Sequence, residues 1–290
     1  MAMKKTSKQL VPLLRGAVNT FISRPIILLP FMTIAFIQLV ILELLYFAPR
    51  FPMSAFFNPI VQTLWGEKFT HYPNNFIVLP KLFQYAQAPI YIFFSCFFIA
   101  VAIAIIAAIN DGQKIKFLPV CRDVLKQYVH IFVAAAVSLC VYFGIHRLYS
   151  LLVSRAWEIE SKEGIFFIIK TVVLQAVPYV NILNGVFVTT IFAFVFPLIV
   201  IEKKKIFSAI GLNFKYLWGS FWYVFMIVLI PTLFYVPVVL LRGNIAGITH
   251  TIFPEIRVII LAVSILVTMF IDVTVYTAIT TYYLLKKEHS

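Results

Sequence analysis

The sequence predicts an all-α integral membrane protein of six transmembrane helices, and three observations predict it. Of 290 residues, 62% are hydrophobic and only 12% are charged, with a mean hydropathy of +0.98. A soluble domain carries about a quarter charged residues and roughly half apolar ones, so this composition excludes a water-soluble enzyme with an ordinary surface, as well as disordered and collagen-like chains. Six separate apolar stretches each approach the roughly 20 helical residues needed to cross about 30 Å of hydrocarbon. The formal net charge is +13, and the basic residues gather in the short segments between those stretches.

Residues Met1 to Arg24 are basic and contain no acid, and the apolar run begins only at Pro25. It continues for more than about 20 residues without a small-residue cleavage site, which predicts a membrane anchor and not a removable signal peptide. The first span is placed at Ile26–Phe47. The loop Ala48–Ala88 that follows holds five prolines and the aromatic residues Phe56, Phe57, Trp65, Phe69, Tyr72 and Phe76. Aromatic side chains favour the headgroup level, so this loop is expected to lie against the outer interface or to cap the bundle. A partner-binding surface is the alternative.

Further spans are placed at Pro89–Asn110, Ile131–Leu152, Tyr179–Ile201, Phe221–Leu241 and Val258–Leu285, the last long enough to tilt or to project beyond the membrane. A shorter apolar stretch, Gly164–Val177, contains Lys170 and ends at Pro178. It reads as an interfacial helix, a re-entrant piece or the start of a longer, kinked fourth span. Cys96, Cys121 and Cys140 are odd in number and lack paired spacing, so they predict neither a disulfide framework nor a metal site.

Lys and Arg concentrate on the cytoplasmic side of membrane proteins. Fifteen of the 24 lie in the N-terminal segment, the segments 111–130 and 202–220, and the C-terminus, and nine lie in the alternate segments. Both termini are therefore expected to be cytoplasmic, in a multi-pass protein of a prokaryotic cytoplasmic (inner) membrane.

Each larger cytoplasmic segment precedes an outward span and reads as an amphipathic helix. Leu10, Leu14, Val18 and Phe21 oppose Lys4, Lys8, Arg15 and Asn19. Phe117, Cys121, Val124 and Tyr128 oppose Lys116, Asp123, Lys126 and His130. Ile206, Ile210, Leu217 and Phe221 oppose Lys204, Ser208, Gly211 and Lys215. Spacings of three and four put each set on one helix face. Such helices lie in the headgroup plane, so Lys8, Arg15, Lys116, Lys126, Lys204 and Lys215 are candidate contacts for anionic lipid. The single polytopic domain then parses as three units, 1–110, 111–202 and 203–290. Each comprises an interfacial helix, a span out and a span back, a parallel repeat about an axis along the membrane normal. The alternative is that any basic loop of this length beside a membrane looks amphipathic.

The third unit carries a resemblance. Phe196-Pro197-Leu198-Ile199-Val200-Ile201-Glu202, followed by Ile206-Phe207-Ser208-Ala209-Ile210 and Asn213-Phe214, resembles a pattern in prokaryotic six-span families. These are the YciC-like membrane proteins and the membrane domain fused to some glycerophosphodiester phosphodiesterases. The match covers about 25 residues, and Asn213 stands where the families carry Ser. The resemblance implies a bundle with cytoplasmic interfacial helices and a role in membrane or envelope physiology, without a known reaction.

Asp272 lies near the middle of the sixth span and should face the bundle interior, be protonated or have a partner. Thr274, Thr277, Thr280 and Thr281 extend a polar stripe from it. This reads either as a proton or cation site in a polar cavity or as a buried acid bonded to neighbouring helices. Glu43 and Lys170 are placed at matching depth near the outer ends of their spans, where a Glu43–Lys170 pair would satisfy both charges. Pro178, Asn181, Asn184 and Gly185 form a polar, breakable patch at the start of the fourth span. Pro197, Pro231 and Pro237 mark further candidate kinks. Broken helices can expose carbonyls to a substrate, or can simply bend.

No nucleotide loop, zinc-binding helix, hydrolase elbow or facing pair of carboxylates occurs in the sequence, so no catalytic, cofactor or metal residues are assigned and a non-enzymatic role is expected. The basic residues are divided among short juxtamembrane segments, which suits anionic lipid and not nucleic acid. The leading expectation is a scaffold or membrane subunit of a larger envelope assembly, with a protein partner in the membrane. The alternative is a permease or transport subunit for a lipid-like or amphipathic substrate, acting alone or with a separate ATPase. It requires a cavity reached by Asp272 and the Asn181–Asn184 patch.

Overall fold

The computed structural model describes residues 2–158, 164–244 and 253–288, and every regular element among them is helical. Hydrocarbon offers no hydrogen-bond partners, so each spanning segment must satisfy its backbone internally, and a helix does this within one segment. Six helices are long and apolar enough to cross a membrane: Pro25–Tyr46, Asn75–Asn110, Tyr128–Trp157, Tyr179–Val200, Phe221–Gly243 and Ile256–Glu288.

In chain order the helices are α1 (Ala2–Ser23), α2 (Leu28–Tyr46), α3 (Ser54–Trp65), α4 (Asn75–Ile90), α5 (Cys96–Asn110), α6 (Phe117–Leu125) and α7 (Tyr128–Trp157). They continue with α8 (Gly164–Ile191), α9 (Val195–Val200), α10 (Ile206–Leu217), α11 (Phe221–Thr232), α12 (Val236–Gly243) and α13 (Ile256–Glu288). The spans close a ring in sequence order: α2 packs on α5, α5 on α7, α7 on α8, α8 on α11, α11 on α13 and α13 on α2. Helix α5 also packs on α13 and α9, which places it inside the ring. Its side chains suit that position, because Ala100 and Ala102 let neighbouring backbones approach while Ile103 and Ile105 fill the gaps, all essentially inaccessible.

The second span is longer than expected. The proline-rich segment before Pro89 is itself helical, so α4 continues through a π turn at Tyr91–Ser95 into α5. Pro80 and Pro89 are accommodated inside α4, where neighbouring helices at membrane depth stabilise an interrupted ladder. Phe76, Leu79 and Phe83 of α4 form a second core with Leu42 and Leu45 of α2 and Leu261 and Ile265 of α13, with Phe57 of α3 packed against it. Part of the aromatic loop therefore caps one end of the bundle, while Phe51, Phe56 and Tyr72 remain exposed.

Gly164–Val177 belongs to α8, which runs unbroken through Pro178. Of the three readings of this stretch, the structure has the start of a longer fourth span, whose break lies at Phe192–Phe194, between α8 and α9, and not beside Pro178. Pro197 explains the position, since it has no N–H for Ala193 and its ring crowds that carbonyl. The open turn is closed by Asn213 of α10, which is fully buried. Its Oδ1 accepts from the Phe194 N–H at 3.0 Å and its Nδ2 donates to the Ile191 carbonyl at 2.7 Å.

Helices α1, α6 and α10 each precede a span and lie at one end of the bundle, here called the basic end. Ala17 and Phe21 of α1, Val124 of α6, and Ile206, Ala209 and Leu217 of α10 are buried. Arg15, Lys116, Lys126, Lys204 and Lys215 are exposed, while the Lys8 side chain lies outside the described residues. Beside that inward face, α10 turns out a second apolar surface, with Phe207 86% and Trp218 89% exposed.

Ionic contacts tie the basic end together. Glu202 Oε1 accepts from the Tyr283 hydroxyl at 2.5 Å and lies 3.6 Å from Lys287 Nζ, fastening the α9–α10 link to the end of α13. Asp123 pairs with Lys203 at 2.8 Å and with Lys126 at 3.2 Å, so Lys126 is partly neutralised within the chain. Those two ammonium groups, Lys203 first, hold the Asp123 carboxyl below the usual carboxylate range. A lowered folded pKa contributes stability above the unfolded value that is lost as the pH falls through the folded one. Both partners in the Lys203 pair are about half exposed, so Asp123→Asn should cost no more than about 1 kcal/mol at neutral pH. Unfolding measured across acid pH should show that difference disappearing.

Candidate functional site

Away from the basic end, the helices separate around a cavity of about 650 Å3, within the roughly 300–1,000 Å3 typical of ligand pockets. Its depth can be read along α4 and α13, which run in the same direction. Arg257 near the start of α13 donates from Nη1 to the Phe76 carbonyl at the start of α4, at 3.0 Å. With a rise of about 1.5 Å per residue, Lys81 lies about 8 Å below that tie, Ser264 about 10 Å and Asp272 about 22 Å. Ser264, Thr268, Asp272 and Tyr276 recur every four residues and so share one face of α13.

Asp272 and Tyr276 form the floor with Thr189 of α8. Among the described residues the Asp272 carboxyl has no hydrogen bond or ion pair. A carboxylate at the centre of a spanning helix costs about 2.5–3.5 kcal/mol on insertion scales. The walls are largely apolar, with Val228 of α11, Val239 of α12, and Leu261 and Val275 of α13. Polar groups interrupt them at Asn181 and Thr232 and, along α4, at Gln84 and Gln87, and the mouth carries Lys81 of α4 and Arg242 of α12.

Arg242 is held in place. Its Nη2 donates to Ser264 Oγ at 2.6 Å, the buried Ser264 hydroxyl donates to the Leu261 carbonyl at 2.7 Å, and the guanidinium lies 5.9 Å from the Tyr235 ring centroid. Arg242 Nε is buried without a hydrogen-bond partner among the described residues.

Below the floor is a smaller pocket of about 40 Å3, bordered by Thr189 and Tyr276 from above and by Tyr91, Ser138 and Phe192. The Tyr91 hydroxyl and Ser138 Oγ are 3.3 Å apart. Two irregular points of the spans, the π turn that starts at Tyr91 and the break at Phe192–Phe194, meet this pocket. Beneath it the packing is dense, with Ile199, Val224, Ile227 and Ile279 excluded from solvent. The cavity is thus open at the far end and closed toward the basic end.

The expected site residues divide. Asp272 and Asn181 line the cavity, and Asn181 Oδ1 lies 3.1 Å from His146 Nδ1. Asn184 does not line it: it is buried between α7 and α8, where its Nδ2 donates to the Tyr142 carbonyl at 3.1 Å. Such a bond links neighbouring spans. The threonine stripe beyond Asp272 also turns away from the cavity, with Thr277 and Thr280 buried and Thr280 bonded to the Tyr276 carbonyl on its own helix.

The Glu43–Lys170 pair is not among the ion pairs of the described residues. Helix α2 packs on α4, α5 and α13, whereas α8 packs on α7 and α11, which separates the two residues around the ring. Glu43 is exposed, and Lys170 Nζ lies 5.8 Å from the Trp157 ring centroid. Matching depth was legible, but matching position around the ring was not.

Lys81, Arg242, Thr189 and Tyr276 were not singled out from the sequence. The two cations read as ordinary residues of the segments outside the spans. The four-residue spacing from Ser264 to Tyr276 was the available signal for the α13 face. Compared with known proteins, the chain matches no family model, no curated protein and no solved structure.

Proposed function

We propose that the protein is a permease or transport subunit that receives a lipid-like or amphipathic molecule from the outer side of a prokaryotic cytoplasmic membrane. The cavity carries this reading: it runs from the far end to an acidic floor near mid-membrane, above a closed inner half. Apolar walls with a few placed polar groups suit a molecule having both characters. Alternating access would then require the floor to open toward the basic end, with the break in span four as the flexible element.

Binding of a fluorescent dodecyl-chain probe to protein in phosphatidylcholine nanodiscs tests the reading. Gly185 lines the cavity, and a Cβ added there meets no atom within 4 Å. Gly185→Trp is therefore expected to obstruct the passage between mouth and floor and weaken binding strongly while the protein stays folded. Unchanged probe binding in that variant would overturn the proposal.

Orientation is part of the proposal, with the basic end cytoplasmic because of its Lys and Arg excess. In a background lacking the three native cysteines, Lys68→Cys should react with a membrane-impermeant maleimide applied outside intact cells, and Lys116→Cys only after permeabilisation. The reverse pattern would invert the topology.

The exposed basic faces of α1, α6 and α10 support anionic-lipid contact at the cytoplasmic surface, and their recurrence before outward spans supports the three-unit repeat. The exposed aromatic side chains Phe51, Phe56 and Tyr72 favour a second reading, a membrane subunit or scaffold whose outer cap meets a protein partner. Copurification of a stoichiometric partner that is lost when these three are changed to serine would support it.

A further inference from the structure

We infer that the mouth of the cavity is an anion-binding subsite, taking the carboxylate or phosphate headgroup of an amphiphile whose apolar part lies along the walls below. This rests on the reading of the cavity as a ligand site and names the ligand class. Lys81 and Arg242 reach the same cavity from different helices and at nearly the same depth, about 8 and 10 Å below the Arg257–Phe76 tie, by helical rise.

Neither cation has an acidic partner among the described residues. Lys81 has no hydrogen bond or ion pair there, and the contacts of Arg242 are to the neutral groups Ser264 and Tyr235. The acid lining the cavity, Asp272, lies eight residues beyond Ser264 on α13, about 12 Å deeper, which is beyond ion-pair reach.

Two cations at the edge of a low-dielectric space without a counter-charge attract an anion strongly. Arg242 is also pre-organised, since Ser264 fixes its planar fork. A fixed guanidinium fork matches the oxygens of a carboxylate or phosphate. Gln84, about one turn along α4 from Lys81, adds an amide donor just below the mouth.

Below the mouth, Ile182 of α8, Val239 of α12 and Ile271 of α13 present apolar surface to the space. A simple anion would leave that surface uncovered, whereas an alkyl chain covers it at roughly 0.8 kcal/mol per buried CH2.

The test measures binding of dodecyl phosphate, dodecanoate, neutral dodecanol and inorganic phosphate to the full chain in phosphatidylcholine nanodiscs. Dodecyl phosphate and dodecanoate are expected to bind about tenfold or more tightly than dodecanol. Arg242→Gln and Lys81→Gln should each remove most of that preference, read as the ratio of charged to neutral chain binding, while Arg242→Lys should retain part of it.

Equal binding of charged and neutral chains by the unaltered protein would overturn the inference while leaving the cavity reading intact. Loss of all chain binding, dodecanol included, would count against the cavity reading itself. Inorganic phosphate binding as tightly as dodecyl phosphate would overturn the amphiphile and make the source a free anion. Should Arg242→Gln fail to fold, Lys81→Gln decides the question, because Lys81 is exposed and makes no structural bond.

Discussion

Asp272→Leu is expected to make the protein harder to unfold and, at the same time, to impair its binding of amphiphiles. The carboxyl sits in the middle of the sixth spanning helix, faces a cavity and has no hydrogen bond or ion pair among the described residues. Insertion scales place the cost of such an acid at about 2.5–3.5 kcal/mol, and leucine at the same depth is favourable. Exposure to the cavity relieves part of that cost, so the expected gain is about 1–3 kcal/mol. Natural proteins give up stability of this kind where a site requires it. Asp272→Asn should fall between, because the amide keeps the shape and polarity but cannot ionise. Unfolding midpoints in detergent, measured beside probe binding, separate the two effects. A destabilised Asp272→Leu protein would identify the residue as a structural member of the bundle.

Asn213→Leu is expected to produce the largest loss of stability of any single change at the basic end. The side chain is fully buried and pairs with two main-chain groups, the Phe194 N–H and the Ile191 carbonyl, across the break in span four. Leucine leaves both unpaired where no water substitutes, at about 1–3 kcal/mol each, so a loss of roughly 2–6 kcal/mol follows. Asn213→Asp can accept from Phe194 but cannot donate to Ile191, and Asn213→Ser is too short to reach both. Each should recover only part of the loss. Equilibrium unfolding in mixed micelles gives the ranking. If Asn213→Leu unfolds like the unaltered protein, the break is closed by the backbone alone.

The spans were legible because length and hydropathy suffice to mark a helix in hydrocarbon, and all six expected stretches are spanning helices in the structure. Their irregularities were less legible. Of the candidate bends, α8 passes through Pro178, whereas the break falls just before Pro197 and is closed by an asparagine 19 residues beyond Phe194. No local pattern connects those positions, because the connection is a packing contact between α10 and the α8–α9 turn. Asn213 was visible only as a departure from the serine of the resembling families.

The cavity floor was half legible. A lone aspartate in a span stands out against its apolar surroundings, whereas Lys81 and Arg242 look like ordinary residues outside the membrane until the helices bring them to one mouth. Depth can be counted along a sequence, but which spans are neighbours is set by the ring. The Glu43–Lys170 pairing fails for that reason, and Arg242 finds Ser264 for the same reason.

The central claim is a pathway from the outer side to mid-membrane that stops above a closed inner half. It is tested most directly by thiol accessibility in a background lacking Cys96, Cys121 and Cys140. Thr189→Cys lies at the floor, and Thr277→Cys lies on the packed face of α13 that turns away from the cavity. The anionic reagent 2-sulfonatoethyl methanethiosulfonate, applied from the outer side of sealed vesicles, is expected to modify Thr189→Cys, and Gly185→Trp should block that reaction. Thr277→Cys should stay unreactive from either side. Modification of Thr277→Cys, or an inert Thr189→Cys in a folded protein, would contradict the claim.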